Sequence, residues 1–240
     1  RIAHLNLSSA PVLGVGNHSV VFRSALRLPQ PLSGRSPTGE VTVAAKTGFC
    51  GEEARRLLHN EGKIYDAFPK HLQEEWCGLN LVTPIMHPVP VTAVVPKFYG
   101  YYVPPEGEND CEEEDKDAYK YIEANARFKS SPSYRAWHSM SPILLLEECG
   151  KPILADKFTP DERSECYSLA LRLHYAEFTQ NSFYVRNILR QPGPLTVAPS
   201  ERSDKTPSFR IIDFGRGEHL PLNLEAANEK NQSRRRSNKI

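Results

Sequence analysis

The chain has 240 residues, of which 39% are hydrophobic and 25% charged, and its formal net charge is +1. This length suffices for one large domain or for two small lobes, each with its own core. The near-zero charge gives no reason to expect nucleic acid or an anionic membrane surface as a partner. No apolar run is long enough for a membrane span, and the cysteines stand singly, outside any disulfide or zinc spacing. We therefore expect an intracellular protein, cytoplasmic or nuclear, with no membrane partner.

A glycine-rich segment near the start of the sequence separates two strand-like runs. Gly14 and Gly16 are followed by Ser19 and Val21. Glycines allow a loop to approach phosphate oxygens without a side-chain clash, so that backbone amides can point at the anion. Taken alone, such a segment more often forms a plain hairpin turn, because glycine-rich turns are common.

A second predicted strand carries a lysine among apolar residues. Residues 28–39 are rich in Pro, Ser and Gly and predict a loop, after which residues 40–46 predict a strand that ends at Lys46. A lysine on a buried strand needs an anionic partner. Glu61 is the natural one, because it lies on the apolar face of a helix predicted over 52–72, which Pro69 should end or kink. The alternative is that Lys46 ends an edge strand in water.

The middle of the sequence predicts short strands around an acidic insertion. Between residues 82 and 103, β-branched runs cut by prolines indicate a pair of edge strands. Residues 104–133 contain a dense acidic block, which should be a solvated insertion; docking of a protein partner is the alternative function for it. Residues 142–148 predict another strand.

The last part of the sequence predicts one helix and one short strand. The helix covers residues 160–177, residues 191–207 should form a loop, and residues 209–212 form the strand. Asp213-Phe214-Gly215 follows directly. A carboxylate at the end of an apolar strand, followed by an aromatic residue and a glycine, is the metal-holding element of protein kinases. With the glycine-rich loop, the lysine and the helix glutamate in the same order, the chain resembles a protein-kinase domain.

The segment that corresponds to the kinase catalytic loop departs from the family pattern. Residues 180–187 are the only match upstream of Asp213, and Asn187 takes the place of the metal-holding asparagine. Gln180 and Asn181 replace the usual histidine and arginine, and Ser182 stands where the catalytic aspartate is expected. A serine hydroxyl is neither charged nor basic near neutral pH, so it can neither orient a substrate hydroxyl nor accept its proton well.

Residues 181–187 and 207–217 resemble a group of fungal protein-kinase-like proteins, in which the serine belongs to the pattern. The resemblance implies an α+β, two-lobed fold that binds ATP with Mg²⁺, the metal being held by Asn187 and Asp213. It places Lys46, Glu61 and Ser182 at the catalytic positions and Leu146 at the gatekeeper position. The nucleotide would be held by a larger set: Leu13, Gly14, Gly16, Ser19, Val21, Ala44, Lys46, Glu147 and Cys149.

The resemblance also implies a division into lobes. Residues 1–148 would form the N-terminal lobe, an antiparallel sheet with one helix, and residues 149–240 a partial, mainly helical C-terminal lobe with a disordered basic tail over 221–240. Few residues follow Gly215, and no Ala-Pro-Glu element is among them. We therefore expect either a shortened C-terminal lobe or a piece of a longer chain.

Three functions follow from these residues. The first is a pseudokinase that binds nucleotide without transferring phosphate, because Ser182 is not an acid. The second is a weakly active protein kinase, for which Glu177 is the only acid close enough to replace the aspartate. The third, a small-molecule phosphotransferase of the aminoglycoside type, is disfavoured because those enzymes keep an aspartate in a His-Gly-Asp setting and lack the Phe-Gly that follows Asp213.

Overall fold

Two nine-residue strands, Ser19–Arg27 and Glu40–Gly48, form the longest antiparallel pair in the first part of the chain. The computed structural model describes residues 3–7, 9–29, 38–49, 51–76, 78–81, 88–104 and 141–221. The chain divides into two compact units, the first from residues 1–66 and 97–148 and the second from residues 67–96 and 149–240. Antiparallel strands and an α-helix occur in each, so the protein belongs to the α+β class.

The strands are β1 His4–Leu5, β2 Val12–Val15, β3 Ser19–Arg27, β4 Glu40–Gly48, β5 Leu79–Asn80, β6 Val89–Pro90, β7 Phe98–Tyr102, β8 Ile143–Glu147, β9 Lys151–Pro152, β10 Phe178–Thr179, β11 Ile188–Gly193, β12 Ser203–Ile211 and β13 Glu218–His219. The α-helices are α1 Glu52–Ala67, α2 Lys70–Gln73 and α3 Pro160–Tyr175. Short 3₁₀ turns occur at Ala155–Lys157, Val185–Asn187 and Pro199–Glu201.

The first unit is built on a six-stranded antiparallel sheet in the order β1-β3-β4-β8-β7, with β2 paired to β3. Because neighbouring residues of a strand point to opposite faces, β3 and β4 place alternate residues in the core, whereas the three central residues of β8 are all buried. The buried side chains of that face include those of Val20, Phe22, Val43, Ala45 and Leu145. The opposite face of the same strands carries Val21, Ala44 and Lys46, which are only half-buried.

Helix α1 ends just before a proline, as the sequence predicts. The helix stops at Ala67, Pro69 follows, and the short helix α2 begins at Lys70. A proline has no N–H and its ring clashes with the preceding turn, so the helix cannot continue through it. One face of α1 is buried through Leu57, Leu58, Glu61, Ile64 and Tyr65, with Ala54 and Gly62.

The second unit is organised around a three-stranded sheet in the order β12-β11-β9 and helix α3. A capping box fixes the start of α3: the Thr159 side chain accepts from the Glu162 N–H, and the Glu162 carboxylate accepts from the Thr159 N–H. Leu169 and Leu173 of α3 are buried in this unit. Two short sheets, β5 with β6 and β10 with β13, complete it.

The expectation of a mainly helical second part is wrong for the described residues 149–221, where one α-helix stands among five strands. The reason is the stretch 191–207, which was predicted as a loop. Its first residues continue β11 to Gly193, and its last residues belong to β12, which starts at Ser203. The first residues of β12 are exposed and polar, so the sequence gives no apolar alternation there, whereas pairing with β11 extends the strand.

Three predicted features lie outside the described residues: most of the loop 28–39, the acidic insertion after residue 104, and the basic tail after residue 221. The division at residue 148 into two kinase-like lobes stays a prediction. Within the described ranges, no helix combines the length and the apolarity that crossing a bilayer requires.

Candidate functional site

An ion pair between β4 and α1 joins two of the residues predicted for the site. Lys46 Nζ lies 2.6 Å from Glu61 Oε2, and their side chains are 13% and 2% exposed. Strand register places Lys46 opposite Val21 on β3 and opposite Leu144 on β8, in the middle of the sheet. Lys46 therefore does not end an edge strand in water, and the alternative interpretation of this residue is wrong.

Burying both charges of this ion pair has a high free-energy cost for the fold. Removing two charges from water costs several kcal/mol per ion, which their attraction repays only with good geometry and further hydrogen bonds. Well-packed apolar residues would serve stability at least as well. A lysine is also a common ligand of phosphate, because its ammonium group donates charge-assisted hydrogen bonds to phosphate oxygens.

The glycine-rich segment forms β2 and the turn into β3. Gly14 lies opposite Val21, and the Gly16 N–H donates to the Ser19 carbonyl at 2.8 Å. Neither glycine has a positive φ. A Cβ added at Gly14 would meet nothing within 4 Å, and one at Gly16 would meet only ordinary contacts, at 3.7 Å from Ser19 atoms. The fold of the chain itself thus does not require glycine at either position.

Apolar residues predicted to line the nucleotide site lie on the sheet face that carries Lys46. Ala44 precedes Lys46 by two residues and pairs with Leu146 of β8. A β-bulge between Val12 and Gly14 places Leu13 and Gly14 together opposite Val21. Leu13 is 39% exposed, whereas Leu146 is buried. In the first unit, the structure therefore brings these apolar positions and Lys46 onto one face.

Two residues predicted to hold the nucleotide, Glu147 and Cys149, lie at the last position of β8 and just after it. The Glu147 N–H donates to the Lys97 carbonyl at 2.9 Å, and its carboxylate accepts from the Lys97 N–H at 3.1 Å. Glu147 is thus fixed to the residue that immediately precedes β7. Cys149 is buried at 3% exposure where the second unit resumes.

In the second unit, Asn187 and Asp213 lie side by side, as the sequence predicts. Asn187 Nδ2 is 3.3 Å from Asp213 Oδ2, and the Ile212 N–H donates to the Asn187 carbonyl at 2.9 Å. Asp213 has a φ of 68°. This left-handed conformation is uncommon outside glycine, although Asp tolerates it better than most residues, and it aims the carboxylate away from the direction a strand would give it.

Ser182 belongs to the same cluster through its backbone. Its N–H donates to Gln180 Oε1 and its carbonyl accepts from Asn187 Nδ2, both at 2.8 Å. Glu177, the acid considered as a replacement for the missing aspartate, is exposed at the C-terminal end of α3 with a φ of 65°. That position directly follows Ala176, the C-cap of α3, where a left-handed residue commonly ends a helix, and this gives Glu177 an ordinary structural reason for its conformation.

Asn187 and Asp213 have the donor chemistry that Mg²⁺ requires. The ion prefers oxygen ligands and typically takes one or two carboxylates, completing its shell with water and phosphate oxygens. One carboxylate beside one carboxamide meets that requirement. No group of three or more His, Cys, Asp and Glu side chains stands together within the described ranges, so a metal held by protein ligands alone is not indicated there.

Sequence reasoning missed two features of the second unit. By its motif position Gln180 only replaces a histidine, whereas in the structure its buried amide donates to the carbonyls of both Ile212 and Asp213. Arg210, which is 1% exposed, forms an ion pair with Glu75 and donates to the Ala93 carbonyl at 3.1 Å. An arginine inside the apolar run Phe209 to Ile212 was the available signal, because such a charge must find a buried acid.

Glu165 on α3 is also buried and is not part of either predicted group. Burial raises the pKa of its carboxyl to about 7, and the negative charges of Glu75 and Glu162 add to the rise, while Arg210 and Arg172 oppose it. Its Oε1 makes no hydrogen bond with any described residue. No sequence pattern distinguishes Glu165 from the other acidic residues of α3.

Comparison with protein-family models found no match, and comparison with curated protein sequences found no significant relative. The function of the chain is therefore argued from its own residues.

Proposed function

We propose that the protein is a kinase-like domain that binds ATP with Mg²⁺ and acts as a pseudokinase, through binding rather than phosphoryl transfer. In this proposal Lys46 is assigned to phosphate oxygens of the nucleotide, and Asn187 and Asp213 are assigned to the metal. ATP brings the phosphate oxygens that a magnesium ion needs to complete its shell.

The buried pair of Lys46 and Glu61 carries the proposal. It was expected from motif order alone, and it lies at 2.6 Å. A plain structural role would not select a buried lysine on the central strand of a sheet. The glycines at 14 and 16 add independent support, because their own backbone and surroundings accept a side chain. Close approach of a ligand explains them.

Ser182 decides between binding and transfer. Its backbone is held between Gln180 and Asn187, so the loop keeps a fixed geometry. The hydroxyl, however, lacks the charge and the basicity with which an aspartate orients a substrate hydroxyl and accepts its proton. Nucleotide binding without efficient phosphoryl transfer is what this combination supports.

The test is a thermal-shift measurement with ATP in the presence of MgCl₂ or EDTA. ATP at about 100 times its Kd would add about 2.7 kcal/mol to the free energy of unfolding. The double variant Gly14→Ala, Gly16→Ala should lose most of the rise in melting temperature while its melting temperature without ATP stays unchanged or increases, since alanine reduces the entropy of the unfolded chain. Asp213→Asn should lose the part of the rise that depends on Mg²⁺.

Two variants serve as controls. Asp156→Asn removes an exposed carboxylate of the same unit as Asp213, and Lys63→Met removes an exposed lysine two positions from Glu61. Both should keep the full response to ATP and Mg²⁺. If the melting temperature of the wild type does not rise at millimolar ATP with Mg²⁺, nucleotide binding is refuted. The function that remains is that of an interaction domain that binds no nucleotide.

Weak phosphotransferase activity is the second candidate. It is favoured by the hydrogen bonds that hold the Ser182 backbone in place. Phosphoryl transfer depends mainly on positioning and charge neutralisation, so a positioned loop without a base can retain some rate. Turnover of radiolabelled ATP that disappears in Asp213→Asn and increases in Ser182→Asp would support this activity. Turnover that Asp213→Asn leaves unchanged would indicate a contaminant.

A further inference from the structure

The side-chain amide of Gln180 is buried and uses both its nitrogen and its oxygen. The side chain is 3% exposed. Its Nε2 donates to the carbonyl of Ile212 at 2.9 Å and to that of Asp213 at 2.8 Å. Its Oε1 accepts from the Ser182 N–H at 2.8 Å. Both N–H groups and the carbonyl oxygen of one amide therefore bind backbone groups of three residues.

The two carbonyls that Gln180 holds define the backbone of Asp213. The Ile212 carbonyl belongs to the peptide plane before Asp213, whose orientation sets φ, and the Asp213 carbonyl belongs to the plane after it, whose orientation sets ψ. Binding both to one nitrogen fixes the two planes relative to each other. The φ of 68° at Asp213, which costs free energy in a residue other than glycine, is held in this way.

Asn187 binds the other backbone group of Ser182, its carbonyl. Its Nδ2 donates to the Ser182 carbonyl, while Gln180 accepts from the Ser182 N–H, so two carboxamides hold the two backbone groups of one residue. Asn187 also contacts Asp213 Oδ2. The orientation of the Asp213 carboxylate and that of the Asn187 carboxamide are thereby linked through Gln180 and Ser182.

We propose that Gln180 is a positioning residue, which fixes Asp213 in the left-handed conformation and so presents its carboxylate to Mg²⁺ together with Asn187. This inference rests on the proposed function, since the metal arrives with ATP. In this proposal Gln180 is not itself a ligand of the metal or a contact of the nucleotide. An amide that carries no charge and does not titrate near neutral pH can hold two carbonyls without adding a charge next to the metal.

The experiment compares Gln180→Met with Gln191→Met in the full chain. Methionine keeps the length and volume of glutamine and removes all three hydrogen bonds. Gln191 is the matched control, because it is a buried glutamine of the same unit whose Nε2 makes no hydrogen bond with any described residue. Gln180→Asn is the second variant, for use if Gln180→Met folds poorly. It keeps the polar amide but shortens the side chain by one methylene, so its chemistry stays closer to that of the wild type.

Two readouts are needed. The first is amide hydrogen exchange of the Ser182 N–H without ligand, which should accelerate about tenfold or more in Gln180→Met once its acceptor is gone. The second is the Kd for ATP with MgCl₂ and with EDTA. Gln180→Met should weaken binding about tenfold or more with Mg²⁺ and leave the Kd in EDTA unchanged. Gln191→Met should leave both readouts as in the wild type.

The outcomes separate this inference from the proposed function. Exchange that accelerates while the Mg²⁺-dependent part of binding stays intact would overturn the positioning role, because loss of the hydrogen bonds would then have no effect on the metal. Unchanged exchange at Ser182 would overturn the hydrogen-bond network itself. If the wild type binds no ATP, the proposed function fails and the metal role of Gln180 fails with it, whereas the exchange rate still shows whether Gln180 holds the loop.

Discussion

Replacing Glu165 by glutamine should stabilise the protein, by an amount that grows as the pH rises from 4.5 to about 7 and stays constant above that. The carboxyl is 8% exposed, and its Oε1 makes no hydrogen bond with any described residue. Burial, with the nearby charges of Glu75 and Glu162, raises its pKa from an ordinary value of 4.5 to about 7. Glutamine has nearly the same shape and carries no charge at any pH, so the cost of burying the carboxylate disappears.

The size of the effect follows from the raised pKa. A change of one pH unit in a pKa corresponds to about 1.4 kcal/mol, so a rise from 4.5 to about 7 corresponds to about 3 kcal/mol. The folded protein holds this proton more tightly than the unfolded chain does. The stabilising contribution is therefore complete below pH 4.5, is lost as the pH rises through about 7, and is absent above that. About 3 kcal/mol is an upper value, because the glutamine amide must also leave water.

The assay is denaturant unfolding of the wild type and of Glu165→Gln at pH 5 and pH 8. The variant should be more stable at pH 8 by up to about 3 kcal/mol and by less than about 1 kcal/mol at pH 5. Glu218→Gln, which changes an exposed glutamate of the same unit, should differ from the wild type by no more than about 0.5 kcal/mol at either pH. A Glu165→Gln variant that is equally destabilised at both pH values would refute the reasoning, since Glu165 would then be a satisfied charge.

Two further predictions concern stability. Lys46→Met should lower the free energy of unfolding by about 3–5 kcal/mol, because it leaves Glu61 buried without its cation, whereas the double variant Lys46→Met, Glu61→Leu should come within about 1 kcal/mol of the wild type. Denaturant unfolding of the two single variants and the double variant measures this, and additive losses would contradict it. Glu177→Gly should increase the free energy of unfolding by about 1 kcal/mol, since the φ of 65° suits glycine. Glu177→Ala keeps the same backbone strain and should be neutral. If the alanine variant gains as much stability as the glycine variant, the glutamate side chain, not the backbone, is unfavourable.

The parts of the fold that the sequence predicted are those with a local signal. Helix α1 follows from apolar residues at helical spacing and from Pro69, and the β3–β4 pair follows from β-branched runs. The pairing of Lys46 with Glu61 was also predictable, because one motif supplies a buried cation and the other a buried acid at the right place in the chain. In each case the residues that decide the structure lie close together in the sequence.

The parts that the sequence did not predict depend on distant partners. Residues 203–206 read as loop because they are polar, and only β11 makes them a strand. Arg210 required Glu75, which is 135 residues away, and nothing near either residue indicates the other. Gln180 likewise acts on Ile212 and Asp213, and its role depends on the direction of two backbone carbonyls. Patterns of residue type carry no information about carbonyl directions.

Residue types and backbone conformations that are locally unfavourable concentrate at the positions that the predicted motifs identify. Lys46 is a buried cation in the middle of a sheet, Gly14 and Gly16 stand where a side chain would fit, and Asp213 has a left-handed backbone. Departures from local preference are expected at functional sites, where the ligand repays them. Glu177 shows that a left-handed residue alone proves little, because helix capping explains its conformation. Asp213 differs in that no helix ends there and a buried side chain, Gln180, holds both of its flanking carbonyls. That difference supports assigning Asp213 to a binding site rather than to a turn.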